Sequence, residues 1–378
     1  MKTNSREKLL SKQKTKAPDL CVIILVLALV GFGCVMVLSA SSYSAELSYG
    51  SSTFFLKKQI LGVLMGLVGG AIMTFFPYQK LKKMKWVLLA VSALLLLCVF
   101  LPGIGVENYG ARRWLNLGVT TIQPSEIAKI AFIVFAASWL SEKTTKVKNF
   151  KDILPVLAVG GMFCVLIIME PNMSITMCMG LLMVAMLFVG GASFKHFMWL
   201  MIPALLLVPA LIIMEPYRMK RLVAFLDPWA SAKGEGFQLV QSLYSIASGG
   251  WCGVGIGKSR QKYLFLPFAE SDFIFSIIAE ETGFVGCFVL LCVFVALIVR
   301  ILAIGKRAKD RFGCYLCSGI ACLIAIQVLL NVAVVTGSIP PTGLPLPFIS
   351  AGSTSLLVFM SAIGVVLNVD RQSRNAEI

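Results

Sequence analysis

The chain has 378 residues, a formal net charge of +16 at pH 7, 58% apolar residues and a mean hydropathy of +0.87. This composition excludes an ordinary water-soluble domain, because the apolar residues come in runs near the roughly 20 that span a bilayer. A membrane β-barrel is also excluded, since the runs do not alternate with a period of two. The sequence therefore predicts an all-α polytopic membrane protein.

We predict about ten transmembrane helices with a large extracytoplasmic loop, residues 215–272, between helices 7 and 8. The predicted domains are a cytoplasmic basic tail at 1–19, a membrane domain at 20–370 and a cytoplasmic tail at 371–378. The predicted spans are 20–41, 54–76, 86–102, 122–141, 153–170, 173–191, 196–214, 273–300, 313–338 and 349–369.

Lysine and arginine predict the orientation, because short cytoplasmic loops carry an excess of both. With the N-terminus inside, 22 of the 34 basic residues lie in inside segments, so both termini of this multi-pass protein are predicted to be cytoplasmic. Nucleic acid is not an expected partner, since the charge is divided among short membrane loops. A single histidine, His196, argues against a His-ligated metal site, and we predict no metal-ligating residues.

The first outer motif is Gly-Ala-Arg-Arg-Trp at 110–114, followed by polar residues at the start of the fourth span. The candidates here are Arg113, Trp114, Gln123, Ser125, Glu126 and Lys129. One interpretation is an interfacial salt bridge between Glu126 and Lys129, with Trp114 as an aromatic anchor. The other is a pyrophosphate clamp, in which Arg113 supplies forked donors and Lys129 a point charge. The residues alone do not choose between them.

The large outer loop is unusually basic. Its seven basic residues are Arg218, Lys220, Arg221, Lys233, Lys258, Arg260 and Lys262. Long loops escape the charge bias of short loops, so this charge is either neutral in effect or a site for an anionic headgroup. Within the loop, residues 237–248 predict an amphipathic helix that lies at the interface or dips into the membrane, with Gln238 on its polar face. The glycines that follow predict a tight turn against another backbone.

The stretch from Leu264 to Gly286 changes from polar loop to apolar helix at Asp272. A carboxylate is favoured there by free N–H groups and the helix dipole. Ser276, Ala279 and Gly283 follow on the same face and are expected to contact other helices. Such an acid is often only a cap.

Two further acids, Glu280 and Glu281, lie two turns below Asp272. Three acids at one helix head, beside apolar sequence, favour a functional role over a cap. Farther on, the proline-rich segment 340–348 predicts a stiff outer loop that either positions its neighbouring helices or simply connects them.

Together these segments resemble the SEDS family (shape, elongation, division and sporulation), whose members include FtsW, RodA and SpoVE. The resemblance rests on NYGARRWLNLG, QPSEIAKIA, EPN, DPWASAKGEGFQLVQSLYSIASGGWCGVGIGKSRQKYLFLP, SDFIFSIIAEETGFVG and PPTGLPLPFISAGSTS, which occur in family order. It is closer to the FtsW/SpoVE branch than to RodA. This chain departs from the family in having Phe268, Glu270 and Ser271 where Glu, His and Thr are usual.

The resemblance implies a glycosyltransferase that polymerises lipid II on the outer face of the bacterial cytoplasmic (inner) membrane, in division or sporulation, with a class B penicillin-binding protein as transpeptidase partner. It implies that Asp272 is the essential acid, and the six candidates at 113–129 match the family's first outer motif. From the residues themselves we expect Arg221, Gln238, Glu280 and Glu281 to serve the substrate as well. No cofactor is certain; a divalent cation, Mg²⁺ or Mn²⁺, is neither required nor excluded. The alternatives are a lipid II flippase or transporter and a non-catalytic scaffold for a transpeptidase.

Overall fold

The computed structural model describes residues 18–108, 111–116, 118, 121–143, 150–199, 209, 213 and 216–374. Apart from one small sheet, the regular elements that these residues form are helices, as predicted. The helices are α1 (Leu20–Tyr49), α2 (Phe54–Phe75), α3 (Tyr78–Lys83), α4 (Lys85–Cys98), α5 (Pro124–Ser141), α6 (Phe150–Met169), α7 (Met173–Val189), α8 (Pro216–Leu226), α9 (Phe237–Gly249), α10 (Ile274–Lys306), α11 (Arg311–Val335) and α12 (Ser353–Arg374). The strands are β1 (Gly105–Asn108), β2 (Ala111–Asn116) and β3 (Thr121–Ile122).

Nine of the ten predicted spans correspond to described helices. Seven of these helices are long and apolar enough to cross a membrane, and α4 and α7 are shorter apolar helices. The predicted span 196–214 lies mostly outside the described residues, as do the predicted tail up to residue 17 and residues 375–378. The total of ten spans and the position of the large loop therefore stay predictions.

The small sheet was not predicted. It is antiparallel in the order β1-β2-β3, with Val106 opposite Trp114 and an irregularity in β1 after Val106. Strands this short carry too few residues for a period-two pattern to stand out from a polar loop. The sheet follows α4 and leads directly into α5, so it holds the first outer motif over the end of the helix bundle.

The centre of the bundle is formed by α5, α11 and α12, whose residues are mostly buried, whereas α2 and α6 expose most of theirs. The exposed side chains on the outer helices are large and apolar, for example Leu64, Val165 and Phe288. Such a surface fits contact with lipid tails rather than water. Charged groups are thus confined to helix ends, the outer loops and a few enclosed pairs among the described residues.

Helices α2 and α12 approach each other backbone to backbone. A Cβ added at Gly364 would overlap the carbonyl group of Gly70. Close approach of this kind is how membrane helices gain packing energy, because lipid offers no hydrophobic drive for helices to associate. Gly364 is therefore required here by space rather than by backbone conformation.

Helix α9 runs parallel to the first turns of α10. The Ser242 hydroxyl lies 2.8 Å from that of Ser276, and Ser245 donates to the Ser276 carbonyl at 2.9 Å. One turn farther along both helices, Gly249 lies against the backbone of Ala279. Residue numbers increase together, so α9 descends beside α10. This confirms that the small-residue face of α10 contacts protein, while the position of the amphipathic segment relative to the membrane stays a prediction.

The loop after α9 is bonded to a break in α10. Gly283 leaves helical geometry with φ of 68°, which frees backbone groups on either side of it. A Cβ at Gly253 would overlap the Glu281 carbonyl, which confirms the predicted close approach of the glycine series to another backbone. Four hydrogen bonds join loop and helix: Val254 N to Glu280 O, Gly255 N to Glu281 O, Phe284 N to Gly250 O and Val285 N to Trp251 O.

The side chains of the two helix acids bind the same loop. Glu280 accepts hydrogen bonds from the Ser259 and Ser245 hydroxyls and, at 2.9 Å, from the backbone N–H of Arg260. Its carboxylate is almost completely buried. A buried carboxylate is tolerable only with such partners. Glu280 therefore fastens the returning loop to α10.

Glu281 adds a link to α1. Its Oε1 accepts from the Ser39 hydroxyl at 2.6 Å and lies 3.4 Å from the Lys262 ammonium, and both charged side chains are buried. We call Ser39, Ser259, Lys262, Glu280 and Glu281 the loop latch. It lies two turns below Asp272, about 12 Å along the helix axis. The contacts of both glutamates favour a structural role, and their predicted role toward substrate stays a prediction.

Replacing Gly364 with Ala is expected to lower stability by about 1–3 kcal/mol, because the added methyl overlaps the α2 backbone. Gly180→Ala in α7 is the matched control, since nothing lies within 4 Å of a Cβ there and Ala favours helix. Thermal unfolding in detergent should show a lower midpoint for Gly364→Ala only. Equal midpoints for the two variants would contradict the backbone contact.

Replacing Lys262 with Met should destabilise the protein by about 3–5 kcal/mol, because the buried Glu281 carboxylate loses its counter-charge. The loop at 250–262 should also become sensitive to protease. Arg112→Gln is the control, since the Arg112–Glu107 pair is exposed and such pairs contribute about 0–1 kcal/mol. A Lys262→Met protein as stable as Arg112→Gln would argue against the latch.

Candidate active site at the outer end of α10

Asp272 lies in the loop just before α10. The N-cap position belongs to Phe273, and no side-chain capping hydrogen bond is made there. The carboxylate is half-buried, and a Cβ built at Gly343 would lie 3.0 Å from its Oδ2. The expectation that Asp272 is only a cap is therefore not supported, and its oxygen faces the proline-rich loop instead.

The Asp272 segment is tied to that loop on both sides. Asn331 of α11 donates from Nδ2 to the carbonyls of Asp272, at 2.9 Å, and Leu344, at 2.7 Å. Ser350 donates to the Ser271 carbonyl at 2.6 Å. The backbone of residue 351 donates to the carbonyl of residue 270 at 2.9 Å. The proline-rich loop thus contacts the Asp272 segment, in addition to connecting α11 to α12.

Two guanidinium groups act on the Asp272 carboxylate. Burial raises the pKa of Asp272 to about 6. Arg221 opposes this shift, the like charge of Glu270 adds to it, and Ser271 and Arg113 oppose it further. Burial also raises the pKa of Glu270. The structure therefore brings together a carboxylate that titrates near neutral pH and two permanent cations.

Arg221 reaches the site from α8. Its Nη1 donates to the Pro341 carbonyl at 3.2 Å, so α8 lies against the proline-rich loop. Gln238 approaches from α9. Gln238 lies one turn before Ser242 on α9, and Asp272 lies four residues before Ser276. Because α9 and α10 run parallel, with Ser242 beside Ser276, Gln238 and Asp272 lie at the same end of the two helices.

Arg113 and Trp114 are neighbours on β2. Arg113 donates from Nε to the Glu170 carbonyl at 3.3 Å and from Nη2 to the Pro171 carbonyl, which docks the sheet on the turn between α6 and α7. Successive side chains of a strand point to opposite faces, so Trp114 leaves the other face of the sheet. Arg113 belongs to the candidate site, whereas β2 directs the half-buried Trp114 away from it.

The Glu170 side chain lies beside this contact. It is fully buried, and neither carboxylate oxygen has a hydrogen-bond partner among the described residues. Glu170 begins the short turn Glu170-Pro171-Asn172 between α6 and α7. A turn explains Asn172, which caps α7 by accepting from the Ile175 N–H, but it does not explain a buried acid.

Glu126 and Lys129 form an enclosed ion pair in the bundle. Lys129 Nζ lies 2.7 Å from Glu126 and donates to Gln327 Oε1 at 2.9 Å, with both charged side chains fully buried. Ser125 is buried beside them, and its hydroxyl has no partner among the described residues. This favours the salt-bridge interpretation, although the pair is enclosed in the bundle and does not lie at the membrane interface.

Gln123 precedes α5. Its backbone N–H lies 3.4 Å from the Thr354 hydroxyl, which in turn donates to the Thr121 carbonyl at 2.9 Å. The Gln123 side chain is half-buried. The first outer motif is thus divided: Arg113 reaches toward Asp272, while Gln123 joins the sheet to α12.

The sequence analysis missed Gln327 and Asn331, which lie one turn apart on α11. Gln327 accepts from Lys129 and donates to the Pro345 carbonyl at 3.0 Å. The available signal was the presence of two amides four residues apart in an otherwise apolar span, where polar groups need partners on other segments. Nothing in the local sequence identifies those partners.

Comparisons with known proteins identify the family to which this chain belongs. Residues 19–375 match the family model for FtsW, RodA and SpoVE, described as cell cycle protein. Stage V sporulation protein E of Bacillus subtilis (strain 168) is 39% identical over 362 residues, which are 96% of this chain and 99% of that protein. The probable peptidoglycan glycosyltransferase FtsW of Geobacter sp. (strain M18) is 37% identical over 365 residues, or 96% of this chain and 100% of that protein.

Two solved structures share the fold. A chain from a peptidoglycan synthase complex that coordinates polymerization and crosslinking matches with a TM-score of 0.79 and 29% identity, over 94% of this chain and 98% of that one. The rod shape determining protein RodA of Thermus thermophilus matches with a TM-score of 0.69 and 27% identity, over 94% and 97%. The chain therefore belongs to the family of FtsW, RodA and SpoVE, the SEDS family that its motifs resemble.

Proposed function

We propose that this chain is a peptidoglycan glycosyltransferase that polymerises lipid II, with Asp272 as its general base. The observation that carries the proposal is the half-buried Asp272 carboxylate, whose pKa burial raises to about 6, beside Arg221 and Arg113. The names of the relatives supply the substrate class, because the FtsW proteins among them are named probable peptidoglycan glycosyltransferases. One relative is named for sporulation and the family is described as cell cycle protein, so roles in division and in sporulation both stay open for this chain.

A single displacement accounts for the stereochemistry. The donor sugar is α-linked to a diphosphate and the product bond is β, so the acceptor 4-hydroxyl attacks the anomeric carbon from the opposite face. The bond from that carbon to the diphosphate oxygen breaks as the new bond forms. Asp272 takes the hydroxyl proton, and a base with a pKa near 6 is mostly ionised at neutral pH while still able to accept it.

The leaving diphosphate carries away the electron pair and needs positive charge rather than a proton. Arg221 and Arg113 supply fixed, permanently charged guanidiniums near Asp272. Lys129 acts more remotely, since its ammonium is enclosed between Glu126 and Gln327. Gln238, level with Asp272, is placed to contact a sugar or the diphosphate.

A divalent cation could share the neutralising role. Among the described residues, no group of three or more His, Cys, Asp or Glu side chains is arranged to hold a metal ion. Asp272 and Glu270 are the acids nearest one another at the site. Mg²⁺ or Mn²⁺ would then take most of its ligands from the diphosphate and from water, as Mg²⁺ does at many phosphate sites.

The membrane setting completes the proposal. We place the site at the outer face of the bacterial cytoplasmic membrane, with both termini inside, as the distribution of basic residues indicates. The related synthase complex couples polymerization to crosslinking, which supports a transpeptidase partner; we propose a class B penicillin-binding protein. The lipid tails of the substrate would enter between helices from the bilayer.

Asp272→Asn is expected to reduce polymerisation of labelled lipid II by about 10²–10⁴-fold, because the amide keeps the shape but cannot accept the proton. The assay uses the purified chain with a penicillin-binding protein that only crosslinks, and product length is measured on a gel. Glu235→Gln, an exposed acid in the same outer loop, is the matched control and should behave as wild type.

Each outcome of this assay distinguishes one reading. Equal products from wild type and Asp272→Asn would remove Asp272 from the chemistry. No product from wild type would contradict the polymerase and leave a flippase or a scaffold, which a lipid II translocation assay in liposomes separates.

The polymerisation rate of wild type should fall below about pH 6, where Asp272 becomes protonated and cannot act as a base. Glu270→Gln removes a like charge, lowers the pKa of Asp272 and moves the midpoint to lower pH. Arg221→Gln removes a cation and should move it to higher pH. The measurement is kcat/KM against pH, and shifts of the same sign in both variants would contradict the assignment.

A further inference from the structure

The proline-rich loop makes few backbone hydrogen bonds of its own among the described residues, where the Leu346 carbonyl accepts from the N–H groups of residues 349 and 350. Its four prolines, at 340, 341, 345 and 347, have no N–H to donate. The carbonyls of Leu344 and Pro345 are instead bound by side chains of α11. This outer loop is therefore shaped from outside, by amides on a neighbouring transmembrane helix.

Asn331 is the amide that joins this loop to the carboxylate. It is 1% exposed, and its single Nδ2 group serves two segments, donating to the carbonyls of Asp272 and Leu344. Leu344 follows Gly343, whose Cα lies against the Asp272 carboxylate and whose φ is +71°. One side chain thus sets the distance between the carboxylate and the surface against which it rests.

Other contacts do not replace this one. Ser350 and the backbone of residue 351 hold the residues before Asp272, by their carbonyls. Asn331 is the side chain that binds the Asp272 backbone itself in the described part of the chain. Without it, the loop could shift along α11 while its far end stayed fixed, and the carboxylate would move relative to Arg221.

We propose that Asn331 is a positioning residue for the glycosyl transfer, holding the Asp272 carboxylate in place through two backbone carbonyls without touching substrate. This rests on the proposed function. Helix α11 thus contributes to the reaction, although it is not part of the outer motifs. A misplacement of about 1 Å in a reacting group can cost about 10²-fold in rate, so the amide is expected to affect kcat strongly.

The test uses Asn331→Leu, which has the same branching and the same number of heavy side-chain atoms as Asn but lacks the donor. The matched control is Asn368→Leu in α12. Asn368 is equally enclosed and also bonds two segments, accepting from Tyr78 N–H at 3.1 Å and donating to the Thr74 carbonyl at 2.7 Å. It lies at the other end of the bundle from Asp272, so it reports the cost of losing such a link as structure alone.

Both variants, wild type and Asp272→Asn are assayed with labelled lipid II and the crosslinking partner. Rates are expressed per lipid II-binding site, counted by equilibrium binding, so that unfolded protein does not count. We expect kcat for Asn331→Leu to fall by about 10–100-fold with KM within about 3-fold of wild type. Asn368→Leu should keep both constants. Asn331→Ser, which retains one donor, should give an intermediate kcat.

The proposal is overturned if kcat of Asn331→Leu is that of wild type or falls no further than that of Asn368→Leu. If Asn331→Leu does not fold, Asn331→Ser decides, and a wild-type kcat in that variant overturns the proposal equally. An inactive wild type would overturn the proposed function and this inference with it. An active wild type, an inactive Asp272→Asn and an unaffected Asn331→Leu would leave the function standing and reject the role of Asn331.

Discussion

The break in α10 at Gly283 is the constraint on which the outer half of this protein depends. Inside a bilayer each backbone N–H and C=O must find a partner within the protein, and an interrupted helix leaves several without one. Here the loop after α9 supplies those partners by four backbone hydrogen bonds. The break and the loop therefore require each other. Together they allow α9 to descend beside α10 and return, which brings the residues before α10 to the site.

The site itself is built from opposed charges held by backbone contacts. Asp272 is raised toward neutral pKa by burial, while Arg221 and Arg113 limit the shift. Each of the three side chains is carried by a segment that is held through backbone carbonyl groups. Arg221 and Arg113 themselves bond carbonyls, at Pro341 and Glu170. The three charged side chains thus act on one another, while the groups that hold their segments are uncharged carbonyls.

The sequence predicted the features that depend on residues close together in the chain. Apolar runs predicted nine of the described helices, and the glycine series predicted a backbone contact. Asp272 was predicted as a site residue because it lies where a helix begins. The features it could not give depend on partners far along the chain. The sequence left Lys129 between a clamp and a salt bridge, and its contacts with Glu126 and Gln327 favour the salt bridge. The proposed role of Asn331 depends on a loop that follows it in the chain. The roles of Glu280 and Glu281 were hidden for the same reason, since Ser39 and Lys262 are their partners.

The loop latch has a consequence for how the chain folds. Ser39 lies in α1, whereas Glu281 is separated from it by 242 positions. A charged residue at the centre of a single membrane helix costs about 2.5–3.5 kcal/mol. The two acids near the start of α10 therefore make this part of the helix a poor membrane segment on its own. Its acids are satisfied only once α1 and the returning loop are already beside it. The first turns of α10 are therefore expected to fold cooperatively with α1 and the returning loop rather than ahead of them.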